Sequence, residues 1–577
     1  MRRCPAPGNH SSMNRLLTLL AVLTMAAGAL AGCTGNTTTT TSTSTTTTPS
    51  TSTTTTSTPP TVPTIITPGG GGSITIGTTD TITALDPGNA YEYLSINVLQ
   101  NTEGTLLSNK ANSAELQPEL AATLPVISTD GLSYTFVLKP GIKYADGTAI
   151  KASDFLWAMQ RNAAKVGGQE GGPAFLIYDS PGVDINGSSA NDLTGTLIIK
   201  LNQPGVFFNQ LVVFPNFAPL PKDKYTQAAW REPTGTTANL PVSSGPYMIT
   251  EYRQGESVTL KPNPNYAGPR VAKADTITLK IFSTSASLQS ALTNGEVDVG
   301  FRTFTPDQWT TLKGAGGSIK TLDAPGPSPL RFLGMNVNKT GSGMENQKVR
   351  QAIANIVDRA QINSLVFSGT VNPAYSIVAN GLQGEKDSYK AMYGATPNTG
   401  QAAALMTAAG YSTSVKLKID LWFNSDGHYG DTEPNLATVL KQQLEASGFF
   451  TITLQSKPWA EYKKDFRAGN FALFLIGWFP DYLDPDDYIS PFLTPGGAAS
   501  FGTFYKNETL QPLIKQEQAE SDNAKRVKVL GDIQDTAAMD NPMLPLFSGT
   551  QQVAFNTAIK GVTLSPTSIF PYYTLSK

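Results

Sequence analysis

"YTFVLKPGIKYADGTAIKASDFLWA", residues 134–158, changes its pattern twice within one short stretch. Tyr134 to Leu138 is aromatic and β-branched, as in a strand, and Pro140-Gly141 supplies a turn. Ile142-Lys143-Tyr144 reads as a second strand ahead of Asp146-Gly147. A helix follows, with Ser153 as the cap candidate and Phe155, Leu156 and Met159 at helical spacing. Strand, turn, strand and helix in succession mark the chain as one that mixes α and β structure.

The same alternation continues on either side. "SITIGTT", residues 73–79, has the period of a strand. "QKVRQAIANIVDRAQINSLVF", 347–367, puts Val349, Ile353, Ile356 or Val357, and Ala360 on one helical face. "TGQAAALMTAAG", 399–410, reads as a helix capped by Thr399 and stopped by Gly410; "EPNLATVLKQQLEASG", 433–448, is another, ending at Gly448. Strand-like "VKLKIDLWF" (415–423), "FTITLQS" (450–456) and "FALFLIGW" (471–478) interleave with them. The reading is an α/β chain with a strand-rich first half and no repeat of fixed period.

At 577 residues the chain exceeds what one core supports, so several domains are expected. Lys plus Arg is 42 against 44 for Asp plus Glu, a balance that excludes a basic nucleic-acid surface. Only 15% of residues are charged, below the ordinary ~25%, and 52 Gly with 40 Pro imply many turns.

Residues 1–32 read as an export signal. Arg15 precedes an apolar run from Leu16 to Leu30, which closes on Leu30-Ala31-Gly32-Cys33. Met13 offers an alternative start. The run is short for a membrane-spanning helix. Leu-Ala-Gly-Cys resembles the bacterial lipobox, which implies that Cys33 is lipidated and becomes the first mature residue. Acyl chains on Cys33 would hold the body at a membrane, at roughly 0.8 kcal/mol per buried methylene. Cys4 leaves with the signal, so the mature chain has no disulfide, cysteine metal site or catalytic thiol. Residues 33–72 form a stalk: Thr37 to Thr58 is Thr and Ser except for Pro49, then come prolines and Gly69 to Gly72. Such a tract has no apolar surface to offset the entropy of ordering, and about 40 residues of coil span roughly 35 Å. A glycosylated tract and a plain linker fit the composition equally.

"GWFPDYLDPDDYISPF", residues 477–492, sets five aromatic residues around Asp481, Asp484, Asp486 and Asp487. Catalysis by paired carboxylates is one reading, but acids in a single loop seldom reach opposite faces of a bond. A calcium loop is another, though the spacing lacks the Gly and the terminal Glu of an EF-hand. No Gly-x-Ser-x-Gly, His-Glu-x-x-His or P-loop is present. A ligand cleft uses more of the stretch: an ammonium losing its hydration needs a carboxylate, and an aromatic wall adds contact. Asp481, with Trp478 three residues before it, supplies that pair. Asp484 before Pro485 reads as a turn former, and Asp486 and Asp487 as solvated.

Taken in order, "ALDPGNAYEYLSINVLQNTEGTLL" (84–107), the stretch at 134–158, "SSGPYMI", "KPNPNYAG", "NGEVDVG", "LGMNVN", "VRQAIANIVDRAQI" and "GWFPDYLDP" resemble the family 5 extracellular solute-binding proteins, receptors of ABC importers for dipeptides, oligopeptides and nickel. Two departures stand out: Ala267 takes the place of the family's usual Trp, and Glu103-Gly104-Thr105-Leu106 that of Glu-Gly-Leu-Leu. The resemblance implies a periplasmic-binding-protein-like, two-lobed receptor of class II, peptide-binding type, with an extra inserted domain. The expected division is lobe I at 73–106, 234–323 and 546–577, the inserted domain at 107–233, and lobe II at 324–545.

The resemblance further implies that Asp481 holds a ligand's α-amino group and that Trp478 lines the pocket. Tyr482, Tyr91 and Tyr93 are further lining candidates, and Trp422, Asn424 and His428 follow a strand whose end would face the cleft. Arg302 and Arg331 are cations available to a ligand carboxylate, although arginines usually make surface pairs. The function implied is capture of a peptide between closing lobes and delivery to an ABC permease, by an extracytoplasmic monomer anchored through Cys33. No catalytic residue, cofactor, metal or nucleic acid is expected. Other readings stay open: a nickel or other metal chelate, haem or a sugar on the same fold, a receptor that signals, or a cell-surface hydrolase using loop 481–487.

Overall fold

The computed structural model describes residues 69–577, apart from 170, 180, 325–328, 550 and 568. The export signal, Cys33 and the Thr/Ser tract lie outside the described residues.

Strand Ser73–Thr78 buries Ile74 and Ile76 and is central to a seven-stranded sheet. It runs parallel to Thr276–Ile281 on one side and to Val299–Phe301 on the other. Ser257–Pro262 and Tyr247–Arg253 extend the first side, and Gln552–Asn556 and Ile319–Asp323 the second, all by antiparallel pairing. One sheet thus gathers the start, the middle and the end of the chain.

A six-stranded sheet takes the later half, in the order Asn372–Pro373, Met543–Ser548, Leu330–Met335, Leu473–Trp478, Leu417–Asn424 and Phe450–Lys457. Leu330–Met335 and Met543–Ser548 are buried at every position, as strands covered on both faces must be. A four-stranded antiparallel sheet of Val126–Ile127, Ser133–Val137, Thr196–Lys200 and Ser189–Asn191 has its own core around Phe136, Phe155 and Ile199. Helix Ala152–Ala163 packs on it. Arg161 on that helix grips both oxygens of Asp86 at 2.9 and 2.7 Å, both side chains fully buried, and so fixes the segment that leads to Tyr91.

The chain leaves the seven-stranded sheet after Asp323 and returns to it at Gln552. The outgoing and returning segments are hydrogen-bonded to each other, Ala324 N to Gln551 O and Gly549 N to Pro329 O. Among the described residues no helix is long and apolar enough to cross a membrane.

Several local readings change. The second strand expected at 142–144 reduces to one bridge, Lys143 with Ala149, because the Asp146-Gly147 turn folds the chain back at once. Ser153 lies inside its helix and donates to Asp192, while Asp154 accepts from Lys151 N at the helix start. The 347–367 segment is two helices, Gln347–Ile356 and Arg359–Phe367, because Asp358 accepts from Gln361 N and starts the second. Asn398, not Thr399, caps Thr399–Ala408.

Candidate ligand-binding site

A cleft of about 870 Å³ opens among the three sheets. Tyr91, Tyr93 and Arg302 line it from the side of the seven-stranded sheet, Phe175 from the four-stranded region, and Trp478 and Asp481 from the six-stranded one.

The acidic loop follows directly from strand Leu473–Trp478. Asp484 caps a short 3-10 turn, Pro485–Tyr488, accepting from Asp486 N at 2.9 Å. Arg526, from helix Asn523–Asp540, pairs with both oxygens of Asp484 and also with Glu517 at 2.9 Å. Asp484 is therefore a turn former and half of a buried ion pair. Asp486 accepts from Tyr482 Oη at 2.9 Å, Ser490 Oγ at 2.6 Å and Gln518 Nε2 at 2.9 Å. Oδ2 of Asp487 accepts from Trp478 Nε1 and from Asp481 N, each at 3.1 Å. The expectation that Asp486 and Asp487 are solvated is overturned, since they are 0% and 1% exposed. Protein donors have replaced water around both.

Asp481 accepts from the phenol of Tyr91 at 2.7 Å. Among the described residues no cation stands within ion-pairing distance of Asp481 or Asp487. Burial pushes the Asp481 carboxyl up to about 7, against a smaller downward pull from the Tyr91 bond. Asp487 is pushed well above the usual carboxylate range, by burial first and then by the charge of Asp481. Its Oδ1 is buried without a hydrogen-bond partner. Two carboxyls with uncharged donors and no counter-ion make a site that a cation would relieve.

Trp478 is buried against Phe492 and presents its indole nitrogen to Asp487. Tyr482 stacks on Phe207 at 5.2 Å. Tyr93 meets the Arg302 guanidinium face-on at 4.1 Å and Phe479 at 5.4 Å. Trp422 and Asn424 are not brought to the cleft. Trp422 stacks on Phe471 at 4.3 Å, and Asn424 is used in a bend, donating to Asp426 and accepting from His428 N. That bend carries His428 into the lining instead. Arg331 pairs with buried Glu433, beneath Tyr429 and outside the lining.

A model described as "Bacterial extracellular solute-binding proteins, family 5 Middle" matches residues 115–500. The chain belongs to family 5 of the bacterial extracellular solute-binding proteins. It is similar to the oligopeptide-binding protein OppA of Bacillus subtilis, 24% identical over 84% of this chain and 89% of that one. The periplasmic murein peptide-binding protein MppA of Escherichia coli is 25% identical over 84% and 89%. Among solved structures, DppA of Helicobacter pylori in complex with the peptide STSA has a TM-score of 0.76, at 21% identity over 88% and 98%. The fold is thus the two-lobed periplasmic-binding-protein architecture.

In this family 5 chain, sequence reasoning missed a contact across the cleft. Glu92 accepts from Trp459 Nε1 at 3.1 Å and from Lys463 Nζ at 2.8 Å, and His428 Nδ1 lies 3.9 Å away. His428 stacks on Trp459 at 3.8 Å. Burial above all, then the neighbouring cations Arg302, Arg331 and Lys463, hold His428 well below its ordinary value, so it stays neutral. The signal was present as Trp459, Lys463 and Arg467 at four-residue spacing, but nothing in sequence ties that helix face to a residue near position 92.

Proposed function

We propose that the protein is an extracytoplasmic receptor that captures a peptide by its amino end between two closing lobes and presents it to an ABC permease. The observation that carries this reading is the pair of half-buried Asp481 and buried Asp487 in the cleft, with uncharged donors and, among the described residues, no cation within ion-pairing distance. An α-ammonium placed there gains a carboxylate as it loses its water, and Trp478 and Tyr482 wall the position. The peptide-binding relatives and the peptide complex of similar fold support that ligand class. Closure turns on the two crossings where Ala324 pairs with Gln551 and Gly549 with Pro329; they join a lobe of 73–106, 234–323 and 552–577 to one of 330–548, with 107–233 inserted, the expected boundary at 545–546 moving because strand Met543–Ser548 stays whole in the six-stranded sheet. The receptor carries out no reaction, and lipidated Cys33 holds it at the outer face of the membrane. The experiment is isothermal titration of the purified protein with mixed tri- to pentapeptides and with the same pool N-acetylated. Binding lost on acetylation supports the reading; equal binding of both pools, or of neither, removes it.

A further inference from the structure

Tyr482 directly follows Asp481, yet its ring packs into the core of the four-stranded region, stacked on Phe207 at 5.2 Å with the planes 12° apart. Its phenol donates to Asp486 Oδ2, while Asp486 Oδ1 accepts from Gln518 Nε2. Gln518, on helix Leu510–Ala519, leads back to the four-stranded region: its backbone oxygen accepts from Val206 N at 3.0 Å, and its side-chain oxygen from Gln203 Nε2 at 3.1 Å. Residues 203–207 are thus joined to the acidic loop by a ring stack and two uncharged hydrogen bonds, with Asp486 tying the two attachments together.

The same region is fastened to the opposite wall of the cleft. Helix Ala152–Ala163 packs on its sheet, and Arg161 of that helix holds Asp86, on the segment that leads to Tyr91, in a fully buried ion pair. The four-stranded region therefore bridges the Tyr91 wall and the Asp481 wall, and parting those walls must break one attachment. Splitting a buried ion pair strands charge out of water, whereas separated uncharged donors and acceptors are each rehydrated. The attachment at Tyr482 and Gln518 yields first.

Resting on the cleft closure of the reading above, we propose that residues 203–207 are a second clasp: the four-stranded region stays with the Tyr91 wall and releases Tyr482 and Gln518 as the cleft opens. Closing seats Tyr482 on Phe207 and brings its chain neighbour Asp481 to Tyr91 in one movement. Gln203, Val206, Phe207 and Gln518 stand outside the cleft lining, so changes there reach a ligand through closure and not by contact.

Val206 is the probe. Phe208 N donates to Gly205 O, and Phe207 has φ −91° and ψ −1°, so Val206 is the second residue of a type I turn, where proline is favoured. Its side chain is exposed. Val206→Pro therefore removes the N–H that Gln518 accepts while keeping the turn, and Val206→Ala keeps both. The test titrates wild type, both variants and Phe207→Leu with the tri- to pentapeptide pool, and measures small-angle scattering of each, empty and loaded. Val206→Ala should match wild type. Val206→Pro should raise Kd roughly two- to tenfold and enlarge the radius of gyration of the empty protein, with the loaded forms equal. Phe207→Leu loses the stack, keeps an apolar side chain and should move both readouts the same way; it carries the test if the proline variant does not fold. Variants that match Val206→Ala in both readouts overturn the clasp and leave the peptide reading intact. A raised Kd with unchanged scattering from the empty protein overturns it too. If the pool binds no form, the peptide reading falls and the empty proteins decide: equal radii overturn the clasp, and larger radii for Val206→Pro and Phe207→Leu support it.

Discussion

The phenolic oxygen of Tyr91 lies 2.7 Å from Oδ2 of Asp481, a hydrogen bond between residues 390 positions apart. It joins the segment ahead of helix Tyr93–Thr102 to the loop that follows strand Leu473–Trp478. An uncharged donor satisfies an oxygen without neutralising the carboxylate, so the charge is left for the ligand. Burial places Asp481 at about 7, and the empty cleft therefore holds much of it protonated at neutral pH.

The first expected consequence is a pH optimum for peptide binding. Affinity should rise as pH increases through about 7 and Asp481 ionises, then fall above about 8 as the ligand amine, of ordinary value ~7.7–8.0, loses its proton. Titration between pH 5.5 and 9 measures this. Asp481→Asn should lose the acid limb and bind more weakly by about 2–5 kcal/mol. A flat wild-type profile would refute the assignment.

The same shift acts oppositely on the stability of the empty protein. A carboxyl raised in the folded state stabilises it while protonated; that contribution is complete below about 4 and is lost as pH rises through about 7. Between pH 5 and pH 8 the Tm of the empty wild type should therefore fall more than that of Asp481→Asn. Parallel Tm curves would mean that Asp481 is not perturbed.

Tyr91→Phe removes the donor and keeps the ring on Phe175. Hydrogen bonds to a charged group contribute about 1.5–3 kcal/mol, so peptide affinity should drop roughly ten- to a hundredfold while Tm changes little. The acid limb of the pH profile should also move upward, because the carboxylate loses support. An unchanged Kd would reduce Tyr91 to packing.

The anchor of the acidic loop lies behind the cleft. Arg526→Met would leave Asp484 and Glu517 as buried carboxyls without their cation, and removing one partner of such a group costs about 3–5 kcal/mol. Urea denaturation should show a lower midpoint at unchanged slope. Glu517→Gln in the same background should recover part of the loss, and an effect below about 1 kcal/mol would show that the ions are hydrated.

Local pattern made the strands around Ile76, Leu421 and Leu475 and the helix around Leu440 legible, because period and breakers are written into adjacent residues. Asp481 and Trp478 were legible because one loop carries both. What stayed hidden depends on contacts distant in sequence. Asp486 and Asp487 looked solvated because nothing local reveals that Gln518 and Trp478 satisfy them. Trp422 and Asn424 were misplaced because a strand pattern does not say which way its end bends, and Glu92 was invisible without its partners on Trp459–Arg467.

Glu92 sets the last expectation. It lies just ahead of helix Tyr93–Thr102, yet it accepts from Trp459 and Lys463 across the cleft, so opening the cleft would break those bonds. Glu92→Gln keeps an oxygen for the Trp459 indole but loses the charge that holds Lys463. The pair is partly exposed, at 15% and 33%, and is worth about 0.2–1 kcal/mol. Peptide Kd should therefore rise roughly one and a half- to fivefold, through the closing step and not through contact with the ligand. Small-angle scattering separates these routes: the empty variant should have a larger radius of gyration than the empty wild type, while the peptide-bound forms agree. Lys463→Ala should reproduce the effect and add little to it in the double variant, since both break one pair. Additive losses, or unchanged scattering from the empty protein, would show that Glu92 does not hold the lobes together.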